Sequence, residues 1–385
     1  MQVKTFVNAR IVFETRIHEG CVVVRDGVIG GVHIGACPIP HDAEVIDCGG
    51  RYLAPGLIDV HVHGGGGHSL MTDDPDEVRA YARWAARRGV TGFLVSTSGR
   101  DHAEIVRRLE ALAPVVGCEP GAARVLGFHL EGPYINPARK GAFPPQWLRA
   151  PDVNEYWELV AASDKQVRQV TLAPELPGGD ALIEAVLASG AVAAIGHTDA
   201  SYDEAMHAFE LGCTHVTHCF NAMRPFSHRD PGCLAAIMAS DGVTAELIGD
   251  GAHVDYAAAS VLLRAKGAQG IVLVTDGMTL AGTGDGEAQW EGQAIRVEGG
   301  KAVRVADSTI IGGVITLDQT VRNAVQHLGV PLQTAVAMAA THAARAMRLD
   351  MRYGAVEPGL AADFVLLDDA LSVQDTYVGG QLVGG

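Results

Sequence analysis

Two histidines, His61 and His63, stand two residues apart after the apolar run that begins at Leu57, and the glycines 64–67 follow them directly. Side chains alternate between the two faces of a β-strand, so residues two apart point the same way. We therefore expect both imidazoles on one side of a strand end, where they would form half of a site for a divalent metal ion. A solvent-exposed histidine pair at a turn is the alternative, and an isolated His-x-His sequence fits it about equally well.

Matching side chains follow later strand-like runs and favour the metal site. Imidazole and carboxylate ligands without a thiolate suit Zn²⁺, which is the first choice, and also Fe²⁺, Co²⁺ or Mn²⁺. Glu131, His197 and His218 are expected to form a three-ligand site with open positions for water and substrate. His61 and His63 would add a second site, which Glu131 could bridge. The sequence therefore predicts a cofactor of one or two divalent ions.

Asp276 follows the strand-like run Ile271–Thr275 and is the candidate general base. It would take a proton from the water that attacks an amide or ester carbonyl, and return this proton to the leaving amine. The alternative for Asp276 is a helix N-cap after the strand. His129 lies two residues before Glu131 and could share its face, but a supporting or structural role is favoured for it.

The elements that must position these residues alternate along the chain. Amphipathic segments such as Pro75–Arg88, His102–Leu112, Ala181–Ala188, Tyr202–Leu211 and Ala257–Ala265 separate most of the strand-like runs, and this alternation indicates parallel strands with right-handed crossovers. Eight units over residues 55–351 predict an α/β fold with a (β/α)8 barrel, whose active site lies at the carboxyl ends of the strands. An open doubly wound sheet is the competing topology, but no G-x-G-x-x-G follows an early strand. The eight runs are Leu57–His63, Thr91–Ser96, Val125–Leu130, Val167–Leu172, Val192–Gly196, His215–Cys219, Thr244–Ile248 and Ile271–Thr275.

Both ends of the chain have a different character. Short strand-like runs with turn residues between them fill residues 1–54, and two more occur within residues 352–385. No helical period appears in the first of these regions, so we expect the two ends to pair into one small β-sandwich domain. The segment from Thr279 to Asp307 is irregular and rich in Gly, Asp and Glu. It is expected to form an excursion or hairpin near the mouth of the barrel.

Composition limits the class of protein. The chain of 385 residues is 48% hydrophobic and 19% charged, as expected for a folded globular protein. A formal charge of −16 argues against nucleic acid as the main partner. No apolar run approaches the roughly 20 residues that span a bilayer, and the start lacks the pattern of a secretory signal. Seven cysteines without a C-x-x-C pair suit a reduced cytosol better than a disulfide framework, so a cytoplasmic location away from membranes is predicted.

Longer motifs around these residues carry a family resemblance. The chain resembles the amidohydrolase superfamily and, within it, the N-acetylglucosamine-6-phosphate deacetylase family, nearly from end to end. The segments most specific to that family are His-Leu-Glu-Gly-Pro and His-x-x-Asn-Ala-Met. The matching segments are 54–64, 128–134, 195–198, 217–223, 229–232, 250–254, 275–277 and 358–364.

The resemblance implies a role for each matching position. Glu131, His197 and His218 match the metal ligands, Asp276 matches the catalytic aspartate, and His61 and His63 match the members that can hold a second ion. Arg229 is the expected phosphate clamp, because a guanidinium binds phosphate oxygens in a fork. In several relatives a neighbouring subunit completes the pocket, which implies a homodimer. The expected substrate-binding residues are Asn221, Ala222, Arg229, His253, Ala142, Phe143 and Ile310.

The implied activity is hydrolysis of the N-acetyl group of an amino-sugar 6-phosphate, with N-acetylglucosamine-6-phosphate as the first choice. Phe143 departs from the family, which usually has a substrate-contacting histidine there. Residues 310–313 also differ from the commoner Leu-Ala-Gly-Ser of the family. Because of these two changes the substrate could instead be N-acetylgalactosamine-6-phosphate or an N-acyl amine without phosphate. An inactive binding or scaffold homologue is the least favoured alternative, because no expected ligand or base is missing.

Overall fold

The computed structural model describes residues 2–290 and 293–383. The chain begins with five strands, in which β1 pairs antiparallel with β2 and parallel with β4 and β5. A tight hairpin joins β2 to β3 through Asp26 and Gly27, both of which have positive φ, as the two-residue turns of hairpins require. The five strands are β1 Val3–Val12, β2 Ile17–Arg25, β3 Val28–Ile34, β4 Glu44–Asp47 and β5 Tyr52–Pro55.

The next part of the chain alternates between strands and helices. It contains β6 Leu57–Asp59, the short pair β7 Gly64–Gly65 and β8 His68–Ser69, α1 Pro75–Ala86, β9 Val90–Thr97, α2 His102–Leu112, β10 Arg124–Glu131, α3 Val153–Ala162, β11 Val167–Leu172, α4 Gly179–Ala188, β12 Val192–Ile195, α5 Tyr202–Leu211, β13 His215–Val216, α6 Gly232–Ala239, β14 Thr244–Ile248, α7 Tyr256–Lys266 and β15 Ile271–Val274.

Eight of these strands form one parallel sheet in the order β6, β9, β10, β11, β12, β13, β14, β15. A parallel bridge between Val62 and Gly277 brings the last strand back to the first. The N–H of Asp276 donates to the carbonyl of His61 (2.9 Å), and the N–H of His63 donates to the carbonyl of Gly277 (2.7 Å). The predicted (β/α)8 barrel is confirmed, and the open doubly wound sheet is wrong, because these contacts close the ring.

Local sequence signals determine where the helices around the barrel begin and end. In α5, Ser201 and Glu204 form a capping box at the start, and Gly212 with φ 119° follows the last residue. At the start of α1, the side chain of Asp74 accepts from the N–H of Asp76, and Pro75 occupies the first helical position. These helices pack outside the strands. The loops that lead from each strand to the next helix lie at the carboxyl-end rim, where the site forms.

A small antiparallel sheet follows the barrel's last strand. It consists of β16 Gly286–Trp290, β17 Gln293–Glu298 and β18 Lys301–Arg304, within the predicted excursion. Ile295 and Val297 pack with Met278 and Ile311 in a separate apolar cluster, against which Ala142 also packs. This sheet, the β16–β18 insert, therefore contacts the loop after β10 at the mouth of the barrel.

Three helices and three strands form the rest of the described chain, up to residue 383. They are α8 Leu317–Leu328, α9 Leu332–Ala339, α10 Thr341–Ala346, β19 Phe364–Leu367, β20 Val373–Val378 and β21 Gln381–Leu382. Because β19 pairs with β5, both ends of the chain share one eight-stranded sheet. The predicted pairing of the two ends is therefore confirmed, while the exact domain boundaries at residues 54/55 and 351/352 stay a prediction.

The aromatic core of the terminal sheet gives a stability test. Phe364 is fully buried and packs edge-to-face on Phe6, with ring centroids 5.2 Å apart. We expect Phe364→Ala to lower the free energy of unfolding by about 3–5 kcal/mol, because it removes buried area and leaves a cavity. Leu382→Ala is the control, since Leu382 is 52% exposed and should change stability by less than about 0.5 kcal/mol. Urea unfolding measures both, and equal effects would contradict a shared core.

The cysteines differ from the expectation in one respect. Cys21 on β2 and Cys37, just after β3, form a disulfide, whereas the other five cysteines are free and four of these are buried. The β2–β3 hairpin brings the two thiols together, a proximity that the cysteine count and spacing do not reveal. Within the described part of the chain, no helix has the length and apolar character needed to cross a membrane.

Candidate metal centre

The carboxyl-end rim of the barrel gathers six side chains that could bind metal. One group consists of Glu131, His197 and His218, and the other of His61, His63 and Asp276. Within each group the potential ligand atoms all lie within 4.8 Å of one another. All six residues were singled out from the sequence, and the structure brings them to a single rim.

The first group surrounds the end of β10. Glu131 Oε1 lies 3.1 Å from Nε2 of His197 and 3.0 Å from Nε2 of His218, and the two nitrogens are 3.0 Å apart. All three side chains are buried. Two nitrogens and one carboxylate oxygen thus converge on one point, as the three protein ligands of an open metal site do.

The second group adjoins the first. His61 Nε2 and His63 Nε2 are 3.3 Å apart, and Asp276 Oδ1 lies 3.5 Å and 3.4 Å from them. The carboxylate of Glu131 reaches this group as well, since its Oε2 is 3.0 Å from His63 Nε2 and its Oε1 is 3.5 Å from His61 Nε2. Glu131 therefore contacts both groups.

Three of these residues have a left-handed backbone. The φ angles are 48° for His197, 26° for His218 and 46° for Asp276, a region that residues with a Cβ rarely adopt. Such conformations cost free energy and concentrate at functional sites. Here they turn the chain sharply where β12, β13 and β15 end, which lets each strand end present a side chain to the same space.

The hydrogen bonds behind the rings test whether a cation fits. His197 Nδ1 lies 2.8 Å from the backbone carbonyl of Arg139, and His61 Nδ1 lies 2.8 Å from a carboxylate oxygen of Glu246. Both partners only accept, so each Nδ1 carries the proton and each neutral ring turns an Nε2 lone pair toward Glu131. Lone pairs then face a carboxylate at hydrogen-bond distance with no proton between them. A divalent cation satisfies this donor set.

The two buried carboxylates need positive groups around them. Burial acts to raise the pKa of Glu131, yet positive charge at His61 and hydrogen bonds from His197 and His218 hold it well below its usual value when these imidazoles carry the protons, and a cation between neutral rings would supply the same positive charge. Burial likewise opposes ionisation of Glu246, whose pKa His61 and His215 hold well below its usual value. Both groups are therefore carboxylates at neutral pH, and the rim carries the negative charge that a cation needs.

The cavity above the two groups contains most of the predicted substrate contacts. The residues that line it include Asn221, Ala222, His253, Ala142, Phe143 and Ile310. Arg229 is exposed and is not among the described residues that line the cavity. The ring of Phe143 packs on the ring of His197, with centroids 5.4 Å apart. Among the residues that the structure describes, the cavity lining of one chain therefore has an apolar wall beside the first group and no arginine.

His253 is held by a residue that the sequence analysis did not single out. Its Nδ1 lies 2.7 Å from Oδ2 of Asp250. Burial lowers the pKa of His253, but the hydrogen bond and charge of Asp250 and the charge of Asp276 outweigh burial and raise it. The spacing Asp-x-x-His is the signal that could have found this pair. Asp250 thus favours the protonated form of His253 at the cavity wall.

Glu246 and His215 were also missed, and both lie inside the barrel. Glu246 accepts a hydrogen bond from Gln169 and contacts His215 and His61, so it connects β11, β13, β14 and the end of β6. The available signal was a lone carboxylate in the apolar run Thr244–Ile248, because a buried charge requires partners. His129 lies in the same interior, between Ser96 and Thr171, with its ring against that of His61.

Comparisons with known proteins identify the family of the chain. The model of the amidohydrolase family matches residues 52–383. A human N-acetylglucosamine-6-phosphate deacetylase is 38% identical over 88% of this chain and 84% of its own. An N-acetylgalactosamine-6-phosphate deacetylase of Escherichia coli is 37% identical over 93% of both chains. The solved structure of N-acetyl-D-glucosamine-6-phosphate deacetylase from Mycobacterium smegmatis, in complex with N-acetyl-D-glucosamine-6-phosphate, is 32% identical, covers 100% of both chains and has a TM-score of 0.92.

Proposed function

The chain belongs to the amidohydrolase family and, within it, to the N-acetylglucosamine-6-phosphate deacetylases, and from this premise we propose a metal-dependent deacetylase that acts on an amino-sugar 6-phosphate. The products are acetate and the free amino-sugar phosphate. The observation that carries the proposal is the convergence of Glu131, His197 and His218 next to His61, His63 and Asp276. An inactive scaffold would have no reason to keep both groups intact.

The residues present divide the chemistry between them. Glu131, His197 and His218 would hold a divalent ion, which would supply Lewis acidity for the amide carbonyl and for water. Asp276 borders the same cavity and takes the proton of the attacking water. It then gives this proton to the leaving nitrogen as the C–N bond breaks, so the proton count balances. Zn²⁺ is our first choice, and the donor set also suits Fe²⁺, Co²⁺ and Mn²⁺.

N-acetylglucosamine-6-phosphate is the proposed substrate. It is the substrate in the name of most of the relatives at 32–38% identity, whereas one relative at 37% identity is named for the galactosamine epimer. Asp250 favours the protonated, positive form of His253 in the cavity, and we propose that Arg229 from a second copy of the chain supplies a further positive charge. This arrangement would require a homodimer, and it would bring an arginine to a cavity whose described lining residues in a single chain include none.

A panel of N-acyl substrates tests the proposal. We expect kcat/KM to be roughly 10²-fold higher for N-acetylglucosamine-6-phosphate than for N-acetylglucosamine, because a charge-assisted hydrogen bond contributes about 1.5–3 kcal/mol. N-acetylgalactosamine-6-phosphate separates the two epimers. Arg229→Ala should lower kcat/KM for the phosphorylated sugars and leave the unphosphorylated sugar unchanged. A preference for N-acyl amines without phosphate would favour the alternative substrate class, to which the apolar ring of Phe143 is suited.

A cytoplasmic location is part of the proposal. Five free cysteines favour a reducing compartment, and the bond between Cys21 and Cys37 weighs against it.

A further inference from the structure

We propose that Glu246 is a positioning residue that makes the His61–His63 pair competent to hold a second cation. Glu246 is not among the described residues that line the cavity, and it acts through His61. The inference rests on the proposed function, because it concerns a cation in the same centre. The inference adds to the metal centre a residue that does not belong to any of the motifs at the strand ends.

Four hydrogen-bond donors face the carboxylate of Glu246, which is fully buried. Oε2 lies 2.8 Å from His61 Nδ1 and 2.9 Å from the backbone N–H of His218. Oε1 lies 2.8 Å from Nε2 of Gln169 and 3.1 Å from Nε2 of His215. A buried carboxylate with every acceptor position used has one orientation, so the His61 ring in contact with it is fixed as well.

The consequence for His61 concerns its tautomer. An acceptor behind Nδ1 requires the proton there, which leaves the Nε2 lone pair facing His63 Nε2 at 3.3 Å. Without that acceptor the proton could move to Nε2, where it would block the ligand position. A carboxylate behind a ligating imidazole also increases its basicity, and hence its affinity for a cation.

The three-ligand group depends less on Glu246. His197 donates its Nδ1 proton to the carbonyl of Arg139, so its orientation has an independent source. Glu246 contacts His218 only through the backbone N–H, and it is not in contact with Glu131 by any described hydrogen bond. Loss of the Glu246 carboxylate should therefore weaken the ion at His61 and His63 more than the ion at the first group.

The test uses the full chain, stripped with a chelator and reloaded with Co²⁺. We expect the wild type to bind two ions and Glu246→Gln to retain one under the same conditions. Calorimetry should give a dissociation constant for the weaker ion that is about 10–100-fold higher in the variant than in the wild type. Elemental analysis gives the stoichiometry independently of activity. Gln169→Met is the matched control, because it removes one donor to Oε1, leaves the bond to His61 and should still bind two ions.

A second measurement separates positioning from a general loss of stability. In a His61→Asn background we expect the weaker ion to be lost already, so adding Glu246→Gln should change the Co²⁺ stoichiometry no further. If Glu246→Gln does not fold, Glu246→Asp replaces it, because it keeps the charge but withdraws it by about 1.5 Å, the length of one C–C bond. The same loss of the weaker ion is expected.

Three outcomes would overturn the inference. Two ions bound by Glu246→Gln with unchanged affinity would show that His61 needs no such support. Equal weakening of both ions would make Glu246 a general structural residue. A wild type that binds one ion would have no second cation for Glu246 to support. Deacetylase activity measured on that protein would still test the proposed function separately. Absence of both metal and amidase activity in the wild type would instead refute the proposed function itself.

Discussion

Replacement of Asp276 by Asn is expected to reduce kcat by at least about 10³-fold while the ion at Glu131, His197 and His218 remains bound. An amide cannot take the proton of the attacking water, and a positioned general base contributes roughly 10²–10⁴-fold. The variant keeps the shape of the side chain and its left-handed backbone. Steady-state kinetics with N-acetylglucosamine-6-phosphate, together with elemental analysis of the same sample, measures the two quantities.

The control for this variant is Asp203→Asn, at an exposed position in the first turn of α5, which should keep full activity. Near-normal turnover of Asp276→Asn would show that another group takes the proton. Asp276 Oδ1 also lies within 3.5 Å of both His61 and His63. Loss of one of two ions in the variant would therefore identify Asp276 as a ligand of the second group as well as a base.

The barrel could be predicted because its signals are local. All eight predicted strands are present, and α2 and α5 begin and end at the predicted residues. Asp101 caps the start of α2, and Ser201 and Gly212 mark the two ends of α5. The prediction did not identify α6, and its sequence explains why. Gly232–Ala239 is almost entirely apolar, so it has no polar face from which a helical period could be recognised.

One general rule was enough to predict the residues of the candidate site that follow strand ends. Residues at the carboxyl ends of parallel strands meet at one rim, so His61, His197 and Asp276 could be grouped without coordinates. Glu246 could not, because its role depends on which side chains meet across the barrel interior. The bond between Cys21 and Cys37 depends in the same way on the return of a hairpin. Proximity between residues far apart in the chain produces no recognisable spacing pattern in the sequence.

Replacement of Glu131 by Gln is expected to have the widest effect, because the carboxylate of Glu131 lies within 3.5 Å of histidine nitrogens in both groups of candidate ligands. Its two oxygens lie 3.0–3.5 Å from Nε2 of His61, His63, His197 and His218. An amide removes the negative charge and directs an N–H group at nitrogens whose lone pairs should face a cation. We expect the loss of bound ions from both groups and a fall in kcat of about 10³-fold or more, since a metal ion contributes several kcal/mol.

Comparison with His63→Asn shows whether this effect comes from the shared position of Glu131. His63 contacts only one oxygen of Glu131, so its variant should lose the ion of the second group and retain the other. Glu210→Gln, at an exposed position on α5, controls for the change of charge and should retain both ions and full activity. If Glu131→Gln and His63→Asn lose the same number of ions, Glu131 does not join the two groups. A larger loss for Glu131→Gln means that one carboxylate holds both halves of the centre together.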